Sequence, residues 1–294
     1  MTNNTVVLEQ DDAGIAWVTL NRPEVHNAFD EMMITRLREI FHMLEEDNHC
    51  RVVVLRGAGK SFSAGADLGW MKRAADFSHN QNLADAEHLA AMLNSLYSLN
   101  KLTIACVKGA VMGGGIGLIS CCDLVIADIK TTFALSEVKI GLIPATISPY
   151  VLSAMGPRNA RRYFQTGEKF NGQRAYDLGL VHELTTSEEE GQQKLNAMLD
   201  HVRANGPLAM REAKRLILDY AGQPLSSKIM ADSAERIAAL RSRPEAKEGV
   251  SAFLEKRNPG WEKRNPGPEK TNPGREKTNS DREICHNDRD EDSD

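Results

Sequence analysis

The chain carries 294 residues, apolar and charged shares typical of a globular protein, and a formal net charge of −5. That length can bury a large core in one or two domains. Charges of both signs are interspersed, which excludes a broad basic face for nucleic acid, and no run reaches the roughly 18 apolar residues of a membrane span.

The opening MTNNTVVLEQDDAG has neither a basic head with an apolar core nor an Arg-rich, acid-poor character, so the cytoplasm is the expected location. Cys50, Cys106, Cys121, Cys122 and Cys285 form an odd set without framework spacing, which predicts reduced thiols. Adjacent Cys121 and Cys122 make a poor clamp and have no His nearby. They read as small buried apolar residues, and no metal is expected.

Residues 5–9 and 14–20 predict two strands around the turn at 11–14, and Asn21-Arg22-Pro23 stops the second. Asp30 is placed to cap a helix whose Met33, Leu37, Ile40, Phe41 and Leu44 recur at helical spacing. Residues 51–55 are an apolar strand flanked by charge, the pattern of a buried parallel sheet. Gly59-Lys60-Ser61 invites a phosphate-loop reading, which fails because that motif needs a glycine where Val54 stands. The small residues from Ser63 to Ala66 let a ligand approach the backbone, and Asp67 can begin a short helix. Residues 69–82 read as polar and irregular, with Trp70 and Met71 as candidate pocket walls. Residues 84–99 read as a helix with Leu89, Leu93, Leu96 and Tyr97 on one face.

The stretch from Gly109 to Pro149 is the informative one. An apolar strand at 103–107 leads into Gly113-Gly114-Gly115 and then an apolar helix. Backbone N–H groups at such a turn face a pocket and favour negative charge. Glu137 follows in a segment too apolar for a carboxylate that only decorates the surface. A backbone anion hole beside one half-buried acid is equipment for handling an enolate. The same glycines fail the dinucleotide fingerprint, whose third position falls on Leu118. Strands at 124–127 and 132–135 complete a strand–strand–helix rhythm, which predicts a wound α/β sheet.

Ser148-Pro149 starts a helix that Gly156-Pro157 ends; 158–164 and 171–178 continue helical, and 180–184 reads as a short strand. Ser187 with Glu190 forms a capping box for a helix to about 204, and helices at 207–220, 225–241 and 244–256 follow. An apolar-striped terminal set of this kind packs over a core or against another subunit. From Glu255 a seven-residue unit recurs as EKRNPGW, EKRNPGP, EKTNPGR and EKTNSDR. Its prolines and its lack of apolar heptad positions exclude a coiled coil, so disorder without a catalytic role is expected over 262–294.

Six pieces, taken in order, resemble the enoyl-CoA hydratase/isomerase (crotonase) family: NRPEVHNA from Asn21, FSAGADL from Phe62, KGAVMGGG from Lys108, DLVIAD from Asp123, FALSEVKIGLIP from Phe133 and AFLEKR from Ala252. The resemblance spans residues 5 to about 261. It implies an α/β spiral of ββα repeats over 1–200 that binds acyl-CoA, and a helical C-terminal region over 201–261 that builds a trimer or hexamer. Coenzyme A enters as part of the substrate, and no separate cofactor is implied. The carry-over places oxyanion-hole N–H groups at Ala64 and Gly114 and the acid at Glu137. Asn27, Ala28, Ala66, Asp67 and Leu68 would line the CoA channel, and Phe253 and Lys256 would touch its nucleotide end. Two glutamates serve in family hydratases, and the first maps onto Gly117, so this chain has one.

Leu135-Ser136-Glu137-Val138 and the run from Pro144 to Tyr150 look like a subgroup similar to methylglutaconyl-CoA and carboxygeranoyl-CoA hydratases. A Δ3-Δ2-enoyl-CoA isomerase also needs only one acid, and a weakly catalytic RNA- or protein-binding module is the reading from another class. Tyr150 is a candidate for positioning water. Lys72, Arg73, Arg158 and Arg161 are candidates for meeting a second substrate carboxylate, and His26 reads as a loop residue.

Overall fold

A computed structural model describes residues 4–262; the expected disorder over 262–294 falls, beyond Glu262, outside the described residues. Strands β1 (Val6–Gln10) and β2 (Ile15–Leu20) pair antiparallel across the turn at Asp11. Helix α1 (Glu31–Glu46) starts where the Asp30 carboxylate accepts the Met33 N–H at 2.8 Å, and its five predicted apolar positions are all buried. Strand β3 (Val52–Gly57) then runs parallel to β2.

Helix α2 (Leu68–Ala74) is the short helix expected to begin at Asp67, and it runs on into the stretch from 69 that read as irregular. The Asp67 carboxylate starts it by accepting from Gly69 and Trp70. Helix α3 (His79–Tyr97) begins before the expected 84, because Ser78 and Gln81 close a reciprocal capping box. Strand β4 (Leu102–Val107) continues the first sheet, and β5 (Ala110–Met112), too short to register as a period, opens a second. Helix α4 (Gly114–Ser120), β6 (Leu124–Asp128) and β7 (Thr132–Ala134) follow.

Helix α5 (Ser148–Thr166) is broken at Gly156, whose φ of 74° and ψ of 156° are not helical, so the predicted stop before Pro157 is real. Strand β8 (Phe170–Asn171), α6 (Gly172–Asp177) and β9 (Glu183–Thr185) precede the terminal helices α7 (Glu188–Ala204), α8 (Pro207–Tyr220), α9 (Ser227–Arg241) and α10 (Pro244–Leu254). The box at α7 is only half as predicted. Ser187 accepts from Glu190, but the Glu190 carboxylate reaches back to Thr186 N–H.

The first sheet has the order β1-β2-β3-β4-β6-β9, parallel except at β1, and the second has the order β5-β7-β8. The chain therefore alternates between two sheets as it winds. Period two divides β3 between two cores. Val53 and Leu55 face α1, α3, α4 and α5, whereas Val52 and Val54 face Leu195, Leu199 and Val202 of α7. The winding brings the loop after β3 alongside β5, as a parallel bridge between Ser63 and Val111 shows.

Candidate active site

Two loops follow strand ends and meet at one place. In the first, the Asn27 side chain is wholly buried and donates to Ala58 O at 2.9 Å and Ser61 O at 2.8 Å, while accepting from Arg22 N at 2.8 Å. Ser63 Oγ donates to Asn27 O at 3.0 Å. Phe29 N donates to Gly65 O at 2.7 Å, and Asp67 N donates to Phe29 O at 2.8 Å. These bonds bracket Ala66, whose own N–H meets no acceptor among the described residues.

Ala64, the sequence-predicted donor, is different. Its N–H is spent on His26 O at 2.9 Å. Asn27 and Asp67 are likewise hydrogen-bonded within the protein, Asp67 to Arg22 and to the start of α2. Ala28 is buried, and Leu68 is 81% exposed. His26 sits in a left-handed turn at φ 52° with Nδ1 3.1 Å from Ser61 Oγ, a loop residue as read.

In the second loop, Gly113 takes a φ of 47°, a conformation that disfavours any side chain. A Cβ there would lie 2.9 Å from Glu137 Oε1, so the acid's oxygen sits directly against this glycine. Gly114 N–H meets no acceptor among the described residues, and a Cβ at 114 would lie 2.9 Å from Phe29 Cδ2. Both glycines are required by close approach.

Glu137 starts a short 3-10 turn (Glu137–Ile140) after β7. Its Oε2 is buried without a hydrogen-bond partner, and among the described residues it makes no ion pair. Burial pushes its carboxyl above the ordinary range. Of the apolar residues around it, Leu135 is buried and Val138 half-buried, but Ile140 is 57% exposed. An acid whose carboxyl is raised by burial, with no ion-pair partner among the described residues, is suited to giving and taking a proton.

Gly117 faces Ile147. A Cβ at 117 would lie 2.2 Å from Ile147 Cγ2, so the buried Ile147 occupies the space that a side chain on α4 would need. Tyr150, one turn further along α5, packs its ring tilted against Tyr97 at 5.1 Å, and burial pushes its hydroxyl up to about 12. It makes no hydrogen bond to Glu137. Arg73 pairs with Glu31 at 2.7 Å, and Lys72 is exposed on α2. Arg158 and Arg161 line a separate concavity with Arg162 and Arg174. Phe253 and Lys256 are both exposed, on and just past α10, which packs on α8 and α9.

A cavity of about 470 Å³ lies between α8 and the starts of β3 and β4, and in its wall Lys214 is joined to Asp123 at 2.7 Å. The four described cysteines are free thiols, and burial pushes Cys50 to about 11 and Cys106 to about 12, so they are inert. Arg22, Phe29 and Ile147 touch the candidate residues, and sequence reading gave none of them a place in the site. Nothing in their spacing signals contacts made across the fold.

Free amides beside an unpaired acid define a class of site that stabilises a negatively charged oxygen while moving a proton. Comparison with known proteins narrows the class. The family model for enoyl-CoA hydratase/isomerase matches residues 10–264, and the chain belongs to that family. It is 33% identical to a putative enoyl-CoA hydratase of Thermus thermophilus over 86% of this chain and 99% of the other. It is 32% identical to the putative enoyl-CoA hydratase/isomerase YhaR of Bacillus subtilis over 84% and 95%. The crystal structure of an enoyl-CoA hydratase from Shewanella pealeana superposes with a TM-score of 0.85 at 39% identity, covering 88% of this chain and 97% of that one. The architecture is the crotonase-type spiral, and the chain is an enzyme of the hydro-lyase type acting on acyl-CoA.

Proposed function

We propose that this enzyme adds water to, or removes it from, a 2-enoyl-CoA thioester, with Glu137 as the only acid–base group. The observation that carries the reading is the buried, unpaired Oε2 of Glu137 against the Gly113 turn, next to the free Gly114 N–H. The thioester oxygen accepts from Gly114 N–H and from Ala66 N–H. Ala66 replaces Ala64 in this role because the Ala64 amide is already bonded to His26 O. Losing one such donor costs about 2.7–4 kcal/mol of transition-state stabilisation in comparable sites.

In hydration, ionised Glu137 takes a proton from water as its oxygen bonds to Cβ. Negative charge moves to the thioester oxygen, and the same carboxyl then protonates Cα. Each proton is accounted for by one side chain. The acyl group is a branched or dicarboxylic chain such as 3-methylglutaconyl. Support comes from the resemblance of residues 135–138 and 144–150 and from Ile147, which closes the position of a second acid.

The same closure favours a second reading, Δ3-Δ2 isomerisation, in which Glu137 carries a proton between Cα and Cγ and no water adds. Turnover of branched, dicarboxylic and linear enoyl-CoAs in heavy-oxygen water tests both. Label at C3 supports hydration, a shifted double bond without label supports isomerisation, and turnover by Glu137→Gln refutes both.

No cofactor beyond the CoA of the substrate is called for, and the cytoplasm is the proposed compartment. The chain assembles as a homotrimer or a hexamer. Support comes from the apolar residues that α9 and α10 leave exposed, Met230 at 56%, Val250 at 60% and Phe253 at 82%. In that assembly Phe253 and Lys256 meet the nucleotide end of CoA.

A further inference from the structure

We propose that Arg22 is a positioning residue of the oxyanion hole, a role that rests on the Ala66 and Gly114 reading above. Phe29 measures the gap between the two donors. Its backbone is bonded on both sides of Ala66, to Gly65 O at 2.7 Å and from Asp67 N at 2.8 Å, and its ring lies against Gly114. Nothing in Phe29 itself holds that bridge shut.

Arg22 does. Nη1 donates to Ala28 O at 2.7 Å and pairs with Asp30 Oδ2 at 3.0 Å, on the two residues that flank Phe29. Nη2 pairs with Asp67 Oδ2 at 3.0 Å, on the residue that follows Ala66. The other Asp67 oxygen accepts from Gly69 and Trp70 at the start of α2, so the carboxylate is fixed from behind. One planar cation thus ties both ends of the Phe29 segment to the hole loop.

The guanidinium and its two carboxylates are mostly buried, with side-chain exposures of 17%, 15% and 15%. Removing the cation leaves Asp30 and Asp67 facing each other with only the exposed Arg73, already paired with Glu31, as a nearby counter-charge, which drives the two loops apart. A lysine ammonium lacks the fork needed to reach all three acceptors. The Ala66 N–H then turns away from Gly114 while the remaining CoA contacts persist.

The probe is a conjugated arylacryloyl-CoA, whose absorbance moves to longer wavelength when its carbonyl is polarised by the hole. The native chain is expected to shift it. Arg22→Met should bind the probe within about threefold of native affinity, lose more than half of the shift, and show kcat on a 2-enoyl-CoA lowered about tenfold or more. Arg22→Lys should fall between, and methylguanidinium should restore part of the shift to Arg22→Ala. A full shift and native kcat in Arg22→Met overturn the proposal; if that variant does not fold, the same result in Arg22→Lys overturns it. No shift in the native chain overturns the hole itself, a failure distinct from a native shift that survives the loss of Arg22.

Discussion

Glu137 combines burial, no counter-charge and contact with a strained glycine, and its consequences are testable at one side chain. Glu137→Gln should lower turnover about 10²–10⁴-fold, measured as the loss of enoyl thioester absorbance. Stability should move the other way. Because burial raises the carboxyl pKa above 4.5, the folded chain keeps its proton where the unfolded chain has released it. The stability of the neutral form is fully present below 4.5 and is lost as pH rises through the raised folded value. Melting curves should therefore give Glu137→Gln a Tm close to native near pH 4 and a higher one at pH 8. A Tm difference independent of pH would contradict the assigned burial. Activity should show the complementary profile, with hydration falling as pH drops through the same ionisation.

Between elements, the informative contact is α4 against α5. Gly117→Ala would gain about 1 kcal/mol of helix propensity, but it would set a Cβ 2.2 Å from Ile147 Cγ2, and overpacking costs about 1–3 kcal/mol. The clash wins, so the variant should lower Tm. Gly117→Ala combined with Ile147→Ala should recover more stability than two independent changes allow, which a double-mutant cycle in urea measures. Additive effects would show that the helices do not meet there. The sequence carries Gly117 as an absence of acid. Why the acid is absent is a fact of packing, since Ile147 arrives from 30 positions along the chain.

Across the molecule, the terminal helices and the α8–α9 connection leave Ile217, Leu225, Val250, Phe253 and Leu254 exposed, from 60% to 82%. Sedimentation should report a trimer or a hexamer. Val250→Asp with Phe253→Asp should shift it toward monomer and raise KM for the CoA thioester, while a native distribution would place the subunit contact elsewhere. The compact unit reaches Glu262. Ending the chain there should leave Tm and kcat unchanged, and a loss of either would give the repeat tail a role.

Periodicity and capping chemistry are local, so the sequence by itself determined the helices α1, α5 and α7–α10, the strands of the first sheet, the glycine turn and the acid at Glu137. Each depends on neighbours within a few positions, such as Asp30 beside Met33 or Gly156 before Pro157. Strand β5 was too short for a period to show, and of α2 only its Asp67 cap was legible. Only the tertiary structure decided which amide is free, because Ala64 and Ala66 look alike in a run of small residues. They differ in what crosses to meet them: His26 O takes the Ala64 N–H, whereas Phe29 binds on either side of Ala66 and leaves its N–H open. Hydrogen bonds between loops distant in sequence are set by where the sheets place those loops, and no local pattern encodes that placement.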